Sequence, residues 1–413
     1  MNRDIRFGVI GAHNRGKISL LAHRPHEGLE LKIVCATHLS GLDFYRDTCG
    51  QELTFTTDYR EVLAAPAIDA VFVCTPDHLH AEHAIAALSA GKHVFLEKPM
   101  ATTIEDCDRI LAAAERSFGK LYVGHNMRFF PVVRKMRELI DLGKIGRVEA
   151  IWCRHFISYG GDAYFKDWHS ERRHTHSLLL QKGAHDIDII HFLAGGYTRR
   201  VTGMGKLSVY NKVTERRRPD ESGDATFNRS NWPPLSQKKL SPVIDVEDHN
   251  MLLLQLDNGV QASYHQCHYT PDDCRNYTII GTEGRIENFG DHSTPERLAT
   301  VHLWNSRMGY QEQGNEVFRI PNLSGSHGGA DPSMVNDFIR YLRTGTADGA
   351  STLDARAAVT AGYLGAESLR NGSMPQDIPP VNKTGSEFTR VWRESAAVNL
   401  PADFNSESVG AQG

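Results

Sequence analysis

Gly91-Lys92-His93-Val94-Phe95-Leu96-Glu97-Lys98-Pro99 is a short apolar run that ends in an acid, a base and a proline. Val94, Phe95 and Leu96 read as the centre of a buried parallel strand, since Gly91 closes the helical pattern before it and Pro99 forbids further ladder pairing. Such a strand delivers Glu97 and Lys98 at its carboxyl end, where open α/β sheets bind their ligands. An isolated Glu-Lys pair is ordinarily a solvated surface pair. The chemistry of this one therefore depends on what else the chain brings to that edge. A second constellation, Gly11-Ala12-His13-Asn14-Arg15-Gly16, follows the apolar stretch Ile5 to Ile10 and precedes a helical pattern through Ile18, Leu21 and Ala22. It fits the G-x-G-x-x-G phosphate turn at its first and third glycines, with His13 where the second would stand. That middle glycine lets backbone approach a pyrophosphate closely, so His13 implies a shifted pyrophosphate.

The elements that must position these groups alternate between strand and helix. Leu31 to Ala36 reads as a strand, with a helix after Ser40; Asp58 caps a helix carrying Val62 and Leu63, and Ala70 to Cys74 is again a strand. Thr75-Pro76-Asp77 then leads to a helix with Ala84, Ile85, Ala87 and Leu88 on one face. Thr102 or Thr103, with Glu105 or Asp106 three residues on, is a capping-box start, and Leu121 to Gly124 adds a strand before Asn126. This alternation predicts βαβ units in a parallel sheet. Beyond about residue 145 the texture changes. Val148 to Phe156 and Val201 to Tyr210 read as strands, and Asp257-Asn258-Gly259 between two apolar runs is a hairpin signal. Tyr277 to Ile280 and Arg285 to Glu287 form a second hairpin, so this part is mostly antiparallel. The stretch from Asn211 to Asp245, rich in proline and charge, is expected to be a long loop lying over the site. Helical texture returns at Met334 to Leu342 and Leu353 to Leu369. Pro375 onward reads as irregular, with a frayed tail from about Ser386.

The chain of 413 residues, 40% apolar and 23% charged, is long enough for two domains that each own a core. A net charge of -4 with both signs interspersed gives no reason to expect nucleic acid or a membrane as partner. The basic run Arg216 to Arg218 reads as a solvated loop. Seven cysteines without a CxxC pair fit reduced thiols, and the passage from Met1 into a strand leaves no room for a signal peptide, so a cytoplasmic location is expected. The histidines at 78, 80 and 83 and at 169, 174 and 176 match no closed metal site, and no metal is expected.

Taken together, Phe7 to Gly16, Cys74-Thr75-Pro76-Asp77-His78-Leu79-His80, Gly91 to Pro99, Lys182-Gly183-Ala184-His185-Asp186-Ile187-Asp188 and His327-Gly328-Gly329-Ala330-Asp331 resemble the glucose-fructose oxidoreductase and inositol dehydrogenase family, written Gfo/Idh/MocA. The resemblance spans most of the chain. It implies an α/β Rossmann domain over 1–125 and an α+β domain with a large, mostly antiparallel open sheet over 126–385. Helices at about 351–371 are expected to pack back on the first domain, and 386–413 to form a tail. It further implies NAD or NADP between the domains, a carbohydrate or cyclitol substrate, and a homo-oligomer formed through the open sheet. Lys98 corresponds to the lysine beside the reacting carbon and His185 to the acid or base, with a cis bond between Lys98 and Pro99.

Hydride transfer from a secondary alcohol needs a group to take the hydroxyl proton and a positive charge to stabilise the developing alkoxide. Lys98 can supply the charge and His185, titrating near neutrality, the base. The family often carries an aspartate four residues before this histidine. Here Gln181 stands there with Lys182 beside it, which leaves Asp186 or Asp188 as substitutes, and Asp188 lies on the same helical face as His185. Gly11, His13, Asn14 and Arg15 are expected at the pyrophosphate, Thr75, Pro76, His80, Glu97, Lys98 and Asn126 toward the nicotinamide half. The end of the second strand, Ala36-Thr37-His38, carries no acid for the adenosine ribose, so Thr37, His38 or Arg15 can meet a 2'-phosphate and NAD versus NADP stays open. The segment Tyr159 to His176, with Tyr164, Trp168, His169, Arg172 and Arg173, is expected to line the substrate pocket together with Gln181 and Lys182. Two other functions share the fold. One is a redox-neutral glycosidase or lyase that keeps its NAD bound and needs a second base such as Tyr159, Tyr164 or His169. The other is a ligand sensor, which should have lost Lys98.

Overall fold

Six strands form the first sheet: β1 (Ile5–Ile10), β2 (Leu29–Cys35), β3 (Thr54–Thr56), β4 (Ala70–Val73), β5 (His93–Glu97) and β6 (Leu121–Gly124). Every pairing is parallel, in the order β3-β2-β1-β4-β5-β6. Continuous burial along β4 and β6 reflects helices on both faces, the usual reason a parallel strand carries no polar alternation. Strand order reverses between β1 and β4, which opens a crevice at their carboxyl ends. The computed structural model describes residues 4–221, 232–294 and 297–380.

The second sheet has nine strands: β7 (Val148–Phe156), β8 (Thr198–Lys206), β9 (His249–Leu256), β10 (Gln261–Cys267), β11 (Cys274–Gly281), β12 (Gly284–Phe289), β13 (Thr300–Asn305), β14 (Glu316–Arg319) and β15 (Gln376–Asp377). Their order is β14-β13-β12-β11-β7-β10-β9-β8-β15, antiparallel except where β10 runs parallel to β7. Along β9 buried and exposed residues alternate, as expected of a sheet covered on one side. The covered face packs Ile151, Leu252 and Ile279 against Ile187 and Ile190 of the helix Gly183–Ala194 and Ala358 of the helix Thr352–Arg370. The other face leaves Trp152, Met204 and Leu253 more than half exposed.

Two helices late in the chain tie the sheets together. Phe338, in the helix Ala330–Thr344, stands 5.6 Å from the Phe72 ring, 5.4 Å from Phe95 and 5.6 Å from Tyr122, so it completes the core of the first sheet. Arg356, in the helix Thr352–Arg370, places Nε 2.6 Å from Asp108 on the helix Ile104–Arg116. Ser351 and Asp354 close a capping box at the start of that long helix.

Several expectations need correction. The helix expected after the glycine turn is present, as a 3-10 helix, Asn14–Ala22. Strand β13 also escaped the sequence reading, and β3, β14 and β15 did so because they are short and lie at sheet edges, where periodicity has few residues in which to show. The described parts of the stretch from Asn211 to Asp245 pack behind the site. Leu240 and Val213 are buried with Tyr164 and Phe165, and none of these described residues lines the cleft. The tail from Ser386 lies outside the described residues. Among the described residues no helix is long and apolar enough to cross a membrane.

Candidate active site

The carboxyl ends of β1, β4 and β5 open into a cavity of about 520 Å³. Gly11 and Gly16 shape its floor. A Cβ on Gly11, whose φ is +87°, would stand 2.6 Å from Thr75 N, and one on Gly16 would stand 2.3 Å from Gly11 O. Both positions thus admit only glycine without moving backbone. Between them His13 turns away toward the end of β2, where its ring lies 4.2 Å from that of His38 and its Nε2 is 2.9 Å from His38 O. His13 therefore crowds the β2 side rather than the floor. His13, Asn14, Arg15 and Thr37 line the cavity, whereas His38 does not.

Arg15 is not free to meet a 2'-phosphate, contrary to one expectation. Its Nε donates to Glu97 Oε1 at 2.6 Å, and Nη1 and Nη2 donate to Asp331 at 2.6 and 2.9 Å. Asp331, fully buried at the start of the helix Ala330–Thr344, also accepts from Asn126 Nδ2, Ser326 Oγ and His327 Nδ1. Burial opposes its charge, but His327 and Arg15 hold its carboxyl well below the ordinary range. Asp331 and His327 were quoted in the sequence without a role, because Arg15 and Asn126, which tie Asp331 to the glycine turn and the cavity, lie more than 200 residues away.

Glu97, Lys98, Thr75, Pro76, His80 and Asn126 all reach the cavity. The Lys98-Pro99 peptide is cis. Both His80 nitrogens are occupied by carbonyls, Nδ1 at 2.7 Å from Pro99 O and Nε2 at 2.9 Å from Thr75 O, so this ring fastens the ends of β4 and β5 to each other. Lys98 Nζ donates to Gln181 O at 2.9 Å, joining β5 to the second sheet's helical layer. Burial pushes the Lys98 amine down to about 8; Lys182 acts in the same direction, against Asp77 and Glu97.

Gln181, Lys182 and His185 form the opposite wall, at the start of the helix Gly183–Ala194. Lys98 and His185 thus line one cavity. Among the described residues no carboxylate orients His185, whose Nδ1 is buried without a partner. Asp188 instead takes both a 2.9 Å and a 2.7 Å hydrogen bond from Arg128, and Asp186 is held by Arg275, His155, Tyr264 and Tyr277. The expectation that either acid serves His185 is overturned, since buried arginines claim both. Burial, then Lys98 and Lys182, hold His185 well below its ordinary value, so it is neutral and does not titrate near pH 7. Burial and Arg275 lower Lys182 to about 7, against Asp186, Asp291 and Asp273. In this site the amines, not the imidazole, titrate near neutrality.

Trp168 and His169 complete the rim. His169 stacks on Trp168 with centroids 3.6 Å apart, and its Nδ1 is 2.6 Å from Asp167 Oδ1. Asp77, missed as a site residue though it stands in a quoted motif, is buried on the cavity wall. Burial raises its carboxyl against His80, His169 and Lys98. Tyr159 and Tyr164 do not line the cavity, and burial pushes the Tyr159 hydroxyl up to about 12 and that of Tyr164 well above its usual value. Arg172 and Arg173 are likewise off the cavity, paired with Glu247 and Glu171.

A dinucleotide fits these residues. The glycine cradle leaves room for backbone approach, and Asn126 Oδ1, buried without a partner, offers an acceptor beside it. Residues 5–125 match the family model described as an oxidoreductase family with an NAD-binding Rossmann fold, and residues 137–377 match that family's C-terminal alpha/beta domain. The chain belongs to the Gfo/Idh/MocA oxidoreductase family. The provisional oxidoreductase YteT of Bacillus subtilis is 29% identical over 316 residues, covering 68% of this chain and 74% of its own. An alpha-N-acetylgalactosaminidase of Shewanella oneidensis is 23% identical over 440 residues, 96% of this chain and 88% of its own. Among solved structures, levoglucosan dehydrogenase in complex with NADH and levoglucosan superposes with a TM-score of 0.73 at 23% identity, over 92% of this chain and all of its own, which shows a shared fold.

Proposed function

We propose that this chain is an NAD(P)-dependent dehydrogenase or reductase acting on a secondary alcohol of a sugar, sugar derivative or cyclitol. The observation that carries the reading is the convergence of Lys98 and His185 on the cavity that the glycine turn floors. Residues 1–125 hold the cofactor and residues 126–385 the substrate. A bound nicotinamide supplies the hydride acceptor or donor. Lys98 places its ammonium against the substrate oxygen and stabilises the negative charge that develops there. His185, neutral, accepts a hydrogen bond from the same hydroxyl and takes its proton as hydride leaves the carbon, returning it in the reverse direction. Glu97 and Asn126 offer acceptors to ribose and carboxamide groups, and Asp331 keeps Arg15 drawn to Glu97. The seven free cysteines suit a cytoplasmic setting, and the exposed apolar face of the second sheet suits a homo-oligomer. Titration with NAD and NADP separately, followed by a sugar and cyclitol panel read by reduced-nicotinamide absorbance, tests the reading. Failure to bind either dinucleotide overturns it.

A redox-neutral glycosidase is the second reading, favoured by the Asp167–His169 pair on the cavity rim. A carboxylate at Nδ1 leaves Nε2 of that imidazole as a proton acceptor distinct from His185. The near full-length likeness to an alpha-N-acetylgalactosaminidase supports it. Aryl-glycoside cleavage without net change in nicotinamide absorbance, abolished in His169→Gln, would decide for this reading; stoichiometric cofactor change decides against it.

A further inference from the structure

His327 lines the cavity from the segment that leads into the helix Ala330–Thr344, with 52% of its side chain exposed. Its φ is +52°, left-handed for a residue that carries a Cβ, and Gly328 and Gly329 follow at +59° and +82°. Such a backbone persists where its surroundings over-determine it. Here Ala330 N donates to His327 O, and His327 Nδ1 donates to Asp331 Oδ2 at 2.8 Å. The same Asp331 oxygen accepts from Arg15 Nη1 at 2.6 Å. One buried carboxylate oxygen therefore holds this imidazole beside a side chain of the glycine turn, on which a dinucleotide lays its pyrophosphate.

With Nδ1 given to Asp331, the other ring nitrogen decides what the residue can do. Nε2 has no hydrogen bond among the described residues. On a neutral ring it is an acceptor, and on a protonated ring a donor. The charges around it favour the donor. Arg15 brings one positive charge against two carboxylates, Glu97 and Asp331, so this cluster is negative where a doubly charged pyrophosphate must sit. The neighbouring elements do not correct the balance. His292, which a Cβ on Gly328 would meet at 2.8 Å, is paired with Asp291. Lys98 donates to Gln181 O on the opposite wall, and His13 is turned to His38. A proton on His327 brings the cluster of Arg15, Glu97, Asp331 and His327 to neutrality and gives the cavity wall a charged donor.

We propose that His327 belongs to the pyrophosphate site: its ring is protonated as the dinucleotide binds and donates from Nε2 to a phosphate oxygen, so that binding takes up a proton. The proton comes from solvent, and no covalent bond of the cofactor changes. A neutral ring accepting from a ribose hydroxyl would leave the excess negative charge facing the phosphates. The inference rests on dinucleotide binding and not on the dehydrogenase reading, because redox and redox-neutral chemistry use the same cofactor. It adds to the glycine turn a residue from the second domain's closing segment.

The test is binding, read on the full-length protein by titration calorimetry with NAD and with ADP-ribose from about pH 6 to about 8.5, the span in which an imidazole changes charge. His327→Asn tolerates the left-handed backbone and keeps an amide for Asp331, but cannot be protonated. It should lose about tenfold in affinity for both ligands at the acid end of the range and little at the alkaline end. Lys98 and Lys182 lose charge near about 8 and 7, so the difference in slope between wild type and variant is the quantity read. At neutral pH the binding enthalpy should differ between PIPES and Tris more for wild type than for His327→Asn, since the buffer supplies the proton. Equal pH slopes, a loss of affinity that is the same at every pH, or a wild type that binds neither ligand each overturn the inference. Proton-linked binding of NAD without oxidation of any alcohol would leave it standing and sink the dehydrogenase reading; turnover with equal slopes would do the reverse. Should His327→Asn lose its thermal transition, His327→Gln and the buffer dependence of the wild type carry the test.

Discussion

Replacing Lys98 by Met keeps most of the aliphatic stem and removes the ammonium that donates to Gln181 O. A preorganised donor aimed at a developing oxyanion is worth about 2.7 to 4 kcal/mol, so kcat should fall by about 10² to 10³. The pH profile supplies an independent check. Burial and Lys182 place the amine at about 8, so it is mostly charged at pH 7 and loses its charge as pH rises through that value. If the charged form is the working one, kcat/KM should fall by roughly tenfold per pH unit above about 8. Lys98→Arg, whose guanidinium stays protonated, should lose that limb while working more slowly, because a planar fork does not reproduce a point charge. Initial rates by reduced-nicotinamide absorbance from pH 6 to about 10 read both effects, with a cofactor titration confirming that each variant still binds dinucleotide. A Lys98→Met rate within about threefold of wild type would refute the assignment, as would an alkaline limb unchanged in Lys98→Arg.

Asp331→Asn leaves Arg15 facing an amide where a buried carboxylate stood. It should cost about 3 to 5 kcal/mol in urea unfolding and weaken dinucleotide binding by fluorescence titration; unchanged binding would detach this network from the cofactor. Buried His155, His176 and His191 each titrate at about 4, below their ordinary 6.5. The unfolded chain therefore binds more protons between those values, so stability is full above about pH 6.5 and falls by about 2 kcal/mol per histidine at pH 5, a loss that urea midpoints at pH 7.5 and 5 would reveal and equal midpoints would exclude. Leu253→Asp places a charge on the exposed face of the second sheet and should shift the sedimentation coefficient toward that of a single chain; no shift would move the interface elsewhere.

The parallel sheet was legible because buried strands such as Val94-Phe95-Leu96 and Ala70 to Val73 are continuous apolar runs, and the Asp257-Asn258-Gly259 hairpin because its turn chemistry is local. Gly11 and Gly16 were legible for the same reason, since a turn that admits no Cβ selects glycine. What sequence spacing could not convey was competition for partners. Asp188 sits one turn from His185 and looks free to orient it, yet Arg128, 60 positions earlier, takes both its oxygens. Arg15 likewise looks available to a phosphate until Asp331 is brought to it by a fold that returns 316 residues later. The depressed basicity of His185 comes from burial beside two lysines, which no linear motif encodes. Short strands such as β15, two residues long, fall below any periodicity.

The placement of Phe338 among Phe72, Phe95 and Tyr122 bears on how the chain is made. All six strands of the parallel sheet have left the ribosome once residue 124 has emerged, yet the aromatic side chain that closes their core lies more than 200 residues further on. At about 5 to 20 residues per second the nascent first sheet waits on the order of 10 to 40 s with that apolar surface uncovered. The nucleotide-binding half is thus the first to be synthesised and among the last to be finished, and during that interval it is the part of the nascent protein that a chaperone would hold.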